Sequence, residues 1–245
     1  MSATGKVANV ERATSWPRWV GANFAGVVAA IARPPRAEPK RIGHLRLLAT
    51  ALIALLAIAA VMVFADAAIA EAVKGGPSWV HAMFNFLTDF GKSGWFLWPL
   101  GAFLVAIAAL ASPALAPVQR LVLAAVAVRA GFLFTAIAVP SLFVTVLKRV
   151  IGRARPFVGE QADPFLYMQF VWRANYASMP SGHATTAFAA AVAFAILWPR
   201  LRLPMLAYAL VIAVSRVVLD AHFLSDVIAG AIVGAVGALL VRDWF

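Results

Sequence analysis

Three short stretches concentrate polar chemistry in an otherwise apolar chain. "KRVIGRARP" holds Lys148, then six residues, then Arg155 followed by Pro156. Pro180-Ser181-Gly182-His183 opens an apolar run, and "SRVVLDAHFLSD" carries Ser215-Arg216, His222 and Asp226. Lys148, Arg155 and Arg216 are fixed cations. Arginine's planar fork suits two oxygens of a phosphate, and lysine adds a point charge. Ser181 offers a hydroxyl. Gly182 lets backbone N–H groups approach an anion at the start of a helix, where the dipole also favours negative charge. Together these make a preorganised cradle for a phosphoryl group whose charge shifts during transfer. His222 and Asp226 are four apart, hence neighbours on one helix face. A carboxylate on one ring nitrogen fixes the tautomer and leaves the other nitrogen free to attack. His183 is then available as general acid for the leaving oxygen. No metal or other cofactor is called for: carboxylates are too few for a magnesium cluster, and the site's positive charge repels a cation.

The elements that must hold these side chains are membrane helices. Of 245 residues, 63% are hydrophobic and 13% charged, with mean hydropathy +0.88. A soluble domain needs far more polar surface, so the composition reads as an integral membrane protein. The chain has no cysteine, which excludes disulfides and thiol chemistry. In such a chain a net charge of +11 bears on topology and anionic headgroups. No nucleic-acid-binding signature accompanies it.

Six spans are expected: Leu47 to Ala65, Gly94 to Ala111, Leu121 or Gly131 to Leu147, Ala184 to Trp198, Leu203 to Leu219, and Phe223 to Val241. The first matches the ~20 residues that cross a bilayer. Arg129 interrupts the third, at the interface or facing the bundle interior. The last three are joined by very short connections and form antiparallel neighbours. Six spans put both termini on one side. Positive charge in the N-terminal region makes that side cytoplasmic, and Arg120, Arg200, Arg202 and Arg242 fall there too. The other side carries the nearly neutral loop 66–93, where Asp66, Glu71 and Asp89 face Lys74 and Lys92. One external loop breaks the charge rule: 148–180 carries Lys148, Arg149, Arg153, Arg155 and Arg173. Bases placed against their topological preference need another reason, and an anionic ligand supplies one. By this count all three polar stretches meet on the external face.

Each stretch alone also has a plain structural reading: a Pro-Ser-Gly turn, a snorkelling helix end, a His–Asp pair closing a hairpin. In concert, and in order, they resemble the three signature stretches of the type 2 phosphatidic acid phosphatase superfamily, which also includes acid phosphatases and vanadium haloperoxidases. The close resemblance covers about Lys148 to Asp226, and the six-span layout extends it to roughly Leu45. It implies an all-α, six-transmembrane-helix bundle over 45–245 and metal-independent catalysis. His222 would form a phosphohistidine, supported by Asp226. His183 would protonate the leaving group, and Lys148, Arg155, Ser181, Gly182 and Arg216 would hold the phosphate.

The expected function is hydrolysis of a membrane lipid phosphate or diphosphate, with substrate and enzyme meeting in the bilayer. Polyprenyl diphosphate, phosphatidate, phosphatidylglycerol phosphate, sphingoid phosphates and lipid A phosphates all fit. Short external loops tilt the reading toward a simple headgroup or a polyprenyl diphosphate. A phosphotransferase using the same site, and a retired site that only binds an anion or lipid, stay open. The Ala-rich, Arg-over-Lys composition suggests a GC-rich bacterial source, hence an inner membrane with the site on the periplasmic face.

Other conspicuous residues carry less. Residues 1–44 form a basic cytoplasmic region, readable as an interfacial helix around Trp16, Trp19 and Phe24 or as a disordered tail. His44 is an interfacial bystander, and His81 lies on an amphipathic external helix. Arg149 and Arg153 flank the first stretch within reach of lipid headgroups. Asp220 reads as structural. "AGAIVGAVGA", with Gly230, Gly234 and Gly237, reads as close helix packing or self-association.

Overall fold

The computed structural model describes residues 16–31, 44–111 and 114–245. The basic positions Lys6, Arg12, Arg33, Arg36, Lys40 and Arg41 lie outside them. The described helices are α1 (Trp16–Ile31), α2 (His44–Phe64), α3 (Asp66–Val73), α4 (Ser78–Thr88), α5 (Gly94–Leu110), α6 (Pro117–Ile151), α7 (Gly182–Leu197), α8 (Arg202–Val218) and α9 (Leu224–Trp244). Three single-turn 3-10 helices join some of them. Among the described residues only isolated β-bridges occur, Arg153 with Tyr167 and Gly159 with Gln161.

Among the described residues, five stretches are long and apolar enough to cross a membrane, judged by length and composition: His44–Phe64, Ser78–Leu110, Pro117–Ile151, Pro199–Val218 and Leu224–Trp244. The fourth expected span, Ala184 to Trp198, corresponds to α7, which has 16 residues, or about 24 Å of helix. It is the central helix, packed by α6, α8 and α9. The third span is longer than expected. It runs unbroken for 35 residues from Pro117, and Arg129 is exposed on it with Nη1 turned back to the Ala125 carbonyl at 3.4 Å. That corrects the interior alternative for Arg129: a long side chain can carry its charge along the helix surface toward water.

Small residues make the centre. Ala136 of α6, Ala189, Ala190 and Ala193 of α7 and Ala238 of α9 share one core cluster with Phe132, Leu133 and Ile137. A membrane gives helices little hydrophobic reason to associate, so close van der Waals packing takes over. A Cβ on Gly230 would run into the Ser181 carbonyl, and one on Gly234 into that of Thr185. The small-residue run is therefore used within the chain, letting α9 lie directly on the backbone of α7.

α6, α7, α8 and α9 alternate in direction, so Lys148, Gly182, Arg216 and Asp226 share one end of the bundle. α2 finishes at that end, delivering Asp66. α6 stops at Gly152, whose φ of +65° is a left-handed cap that glycine adopts without strain. A side chain there would also strike the Met168 backbone. The chain then folds back over the bundle end, with Ala154 N–H on Leu166 O at 2.9 Å and Arg155 N–H on Asn175 O at 2.8 Å.

Candidate active site

The three polar stretches converge at this capped end. Lys148 sits in the last turn of α6, and Arg155 follows in the loop. Ser181 is the residue preceding α7, and Gly182 and His183 form its first turn. Arg216 lies in the last turn of α8. A Cβ on Gly182 would lie 3.4 Å from Lys148 Nζ, so the glycine leaves the ammonium close to the helix start. The first-turn N–H groups of α7 have no intrahelical acceptor. Ser181 Oγ, Arg155 Nε and Arg216 Nε are all buried and have no hydrogen-bond partner. Among the described residues, none of Lys148, Arg155 and Arg216 forms an ion pair. Buried donors without acceptors are costly, and a tetrahedral oxyanion would satisfy several at once. His183 lies within electrostatic range of Arg216, His222 and Lys148.

His222 stands two residues ahead of α9, in the turn after α8, and not on a helix face shared with Asp226 as expected. The turn is tight: both Ala221 and His222 donate their N–H to the Arg216 carbonyl at 3.2 Å. Asp220 adopts φ +51° there, a left-handed geometry that Asp tolerates better than most residues. Asp226, in the first turn of α9, accepts the Phe223 N–H on Oδ2 at 3.0 Å. His222 Nδ1 is 3.8 Å from that oxygen, too far for a hydrogen bond. Ser178 closes the gap. Its hydroxyl donates to Asp226 Oδ2 at 2.5 Å and stands 3.3 Å from His222 Nδ1. With Nδ1 protonated the chain runs Nδ1–H to Ser178 to Asp226, and Nε2 keeps its lone pair. Burial pushes the imidazole down to about 4, with Asp226 opposing, so His222 is neutral at pH 7.

Asp226 is anchored in turn by Arg153, which does not reach headgroups. Arg153 is fully buried. Its Nη1 contacts Asp226 Oδ1 at 2.6 Å and Ser225 Oγ at 2.7 Å, its Nη2 contacts Asp66 Oδ2 at 2.8 Å, and its Nε donates to Pro164 O at 2.9 Å. Asp66 also accepts the Ser225 N–H at 2.9 Å and the Ser225 hydroxyl. Burial alone would lower the Arg153 pKa, but Asp226 and Asp66 outweigh it and raise it. A guanidinium with two carboxylates and a satisfied fork survives burial where a lone charge would not. Arg216 is fixed by Thr88 at the end of α4, whose Oγ1 accepts from Nη1 at 2.7 Å.

All eight candidate residues thus share one end of the fold. Sequence reasoning missed Asp66, Thr88, Ser178 and Ser225, and it gave Arg153 to the lipid surface. An available signal for Arg153 was its place in a basic run that already broke the charge rule.

A profile of the PAP2 superfamily matches residues 129–245. The lipid A 1-phosphatase of Rhizobium etli is 35% identical over 186 residues, covering 75% of this chain and 78% of that protein. The lipid A 1-phosphatase of Rhizobium johnstonii is 35% identical over 171 residues, 69% of each chain. Among solved structures, Aquifex aeolicus LpxE superposes with a TM-score of 0.53 at 19% identity, covering 73% of this chain and 95% of that one. The PAP2-type phosphatidylglycerolphosphate phosphatase of Bacillus subtilis gives 0.52 at 21% identity, covering 80% and 93%. At those identities the superpositions speak for the fold alone.

Proposed function

The chain belongs to the PAP2 superfamily as a membrane lipid phosphatase, and from that premise we propose that it removes the 1-phosphate of a lipid A-type glycolipid through a phosphohistidine. The substrate reading rests on the two Rhizobium relatives, similar over most of both chains. It moves the expectation away from a simple headgroup or polyprenyl diphosphate. The mechanism rests on one observation above others: three buried donors, Ser181 Oγ, Arg155 Nε and Arg216 Nε, lack acceptors beside a neutral histidine.

In the first step Nε2 of His222 attacks phosphorus and the bond to the lipid oxygen breaks. His183 supplies the proton that this oxygen takes up. Lys148, Arg155, Arg216, Ser181 and the N–H groups at the start of α7 hold the phosphoryl oxygens as charge shifts. Ser178 and Asp226 keep the Nδ1 proton in place. In the second step water attacks the phosphohistidine and returns a proton to His183. Phosphate leaves and His222 is regenerated. Lys148, Arg155 and Arg216 offer the positive charge that a transferring phosphoryl group calls for, which supports metal-independent transfer. The basic residues at the opposite end of the bundle, Arg120, Arg200, Arg202 and Arg242, support a site facing the periplasm.

The test is phosphate release by detergent-purified protein in EDTA, across lipid A, phosphatidylglycerol phosphate, phosphatidate and polyprenyl diphosphate, with His222→Ala alongside. Release from lipid A that survives EDTA and disappears in the variant is expected. Activity retained by His222→Ala would sink the mechanism, and release confined to another lipid would sink the substrate. Phosphate recovered on an added alcohol instead of in solution would make the protein a transferase.

A further inference from the structure

Arg149 takes no part in the phosphate cradle yet stands beside it, and Arg173 is tied to Arg149 through its carbonyl. Arg149 follows Lys148 in the last turn of α6 and lies within electrostatic range of Lys148 and Arg155. Its Nη1 donates to the Arg173 carbonyl at 3.2 Å, and its guanidinium carbon is 5.4 Å from the centre of the Trp172 ring. Its Nε is buried without a partner. The segment carrying Trp172 and Arg173 is fastened at both ends: Phe170 N–H donates to the Arg149 carbonyl at 2.9 Å, and Arg155 N–H donates to the Asn175 carbonyl at 2.8 Å. Arg173 is exposed, and Trp172 is 82% exposed.

The charge arrangement is unusual for this end of the molecule. Lys74 and Lys92 pair with Glu71 and Asp89, at 3.9 and 2.7 Å. Among the described residues neither Arg149 nor Arg173 has a carboxylate partner. The shelf is thus one guanidinium, that of Arg149, against an open aromatic ring, with the exposed Arg173 next to that ring in the chain, and Arg149 links it to Lys148 and Arg155. Guanidinium forks recognise phosphate oxygens, and the ring offers an apolar face beside them.

We propose that Arg149, Arg173 and Trp172 form a second anion subsite, which takes another phosphate on the headgroup of the same lipid and makes a bis-phosphorylated glycolipid the preferred substrate. This rests on the lipid A reading above. Continuity with the cradle favours one substrate bridging both sites over a separate anionic lipid.

The test compares kcat/KM for bis-phosphorylated and mono-phosphorylated diglucosamine lipids in neutral detergent, for the wild type, Arg149→Gln, Arg173→Gln and the double variant. The wild type should prefer the bis-phosphorylated lipid by about tenfold or more, the scale of charge-assisted hydrogen bonds. The double variant should bring that ratio close to one, chiefly through KM. A ratio that the double variant leaves unchanged would overturn the subsite, as would preference abolished by adding phosphatidylglycerol to the micelles. Binding of the same two lipids to His222→Ala separates the two readings. Discrimination in binding without wild-type turnover keeps the subsite and removes the reaction; turnover without discrimination does the reverse.

Discussion

His222 is buried at the end of the bundle, and the proposed mechanism needs its neutral form. Burial pushes its pKa down to about 4 from an ordinary value of 6.5. The folded state therefore binds that proton later than the unfolded chain does. The stability this group contributes is present above pH 6.5 and is lost as pH falls from there through about 4. A 15N-histidine titration in detergent can observe this directly, since the chain has only 4 histidines and His222→Ala identifies the signal. The expected midpoint lies near 4. A midpoint near 6.5 would mean that the ring is solvated and that the pocket around it is not the one described. At this scale the sequence is informative where spacing is local. Ser181, Gly182 and His183 are consecutive, and Lys148 and Arg155 flank one helix end. It is silent on Ser178, which lies in an unremarkable "YASMP" and acquires meaning only by filling the gap between His222 and Asp226.

At the scale of elements, one side chain joins three of them. Arg153 ties the loop after α6 to α3 through Asp66 and to α9 through Ser225 and Asp226. Removing one partner from such a buried set leaves uncompensated charge, which costs about 3–5 kcal/mol. Arg153→Met should therefore lower the thermal midpoint of the purified protein markedly and reduce turnover, because Asp226 loses an anchor. Arg153→Lys should not restore it, since an ammonium cannot contact Asp66, Ser225 and Asp226 with a planar fork. A Met variant as stable as the wild type would show that the network is not structural. These contacts were illegible in the sequence because they join residues 72 to 87 positions apart, with no period or motif to mark them. The helices were legible because apolar length is written locally. The exception is α7: a central helix walled by alanines and glycines need not match the bilayer alone, so its span came out short.

On the scale of the whole molecule, orientation decides which face of the membrane the site meets, and a cysteine-free chain makes it measurable. Gln161 is exposed at the capped end and Arg200 at the opposite end. In intact cells an impermeant maleimide should label Gln161→Cys and spare Arg200→Cys; the reverse pattern would turn the site toward the cytoplasm. The fold also has a temporal side. Arg153 draws its partners from 87 residues upstream and 73 residues downstream, and His222 lies just before the last helix. A ribosome delivers these parts in order. Asp66 and Arg153 are in place long before His222 exists, and Asp226 arrives after it. A chain interrupted before residue 222 lacks the histidine on which the proposed mechanism turns, and one interrupted before residue 226 lacks the carboxylate behind it. Each part of the site waits on one made later, so no early fragment carries the whole of it.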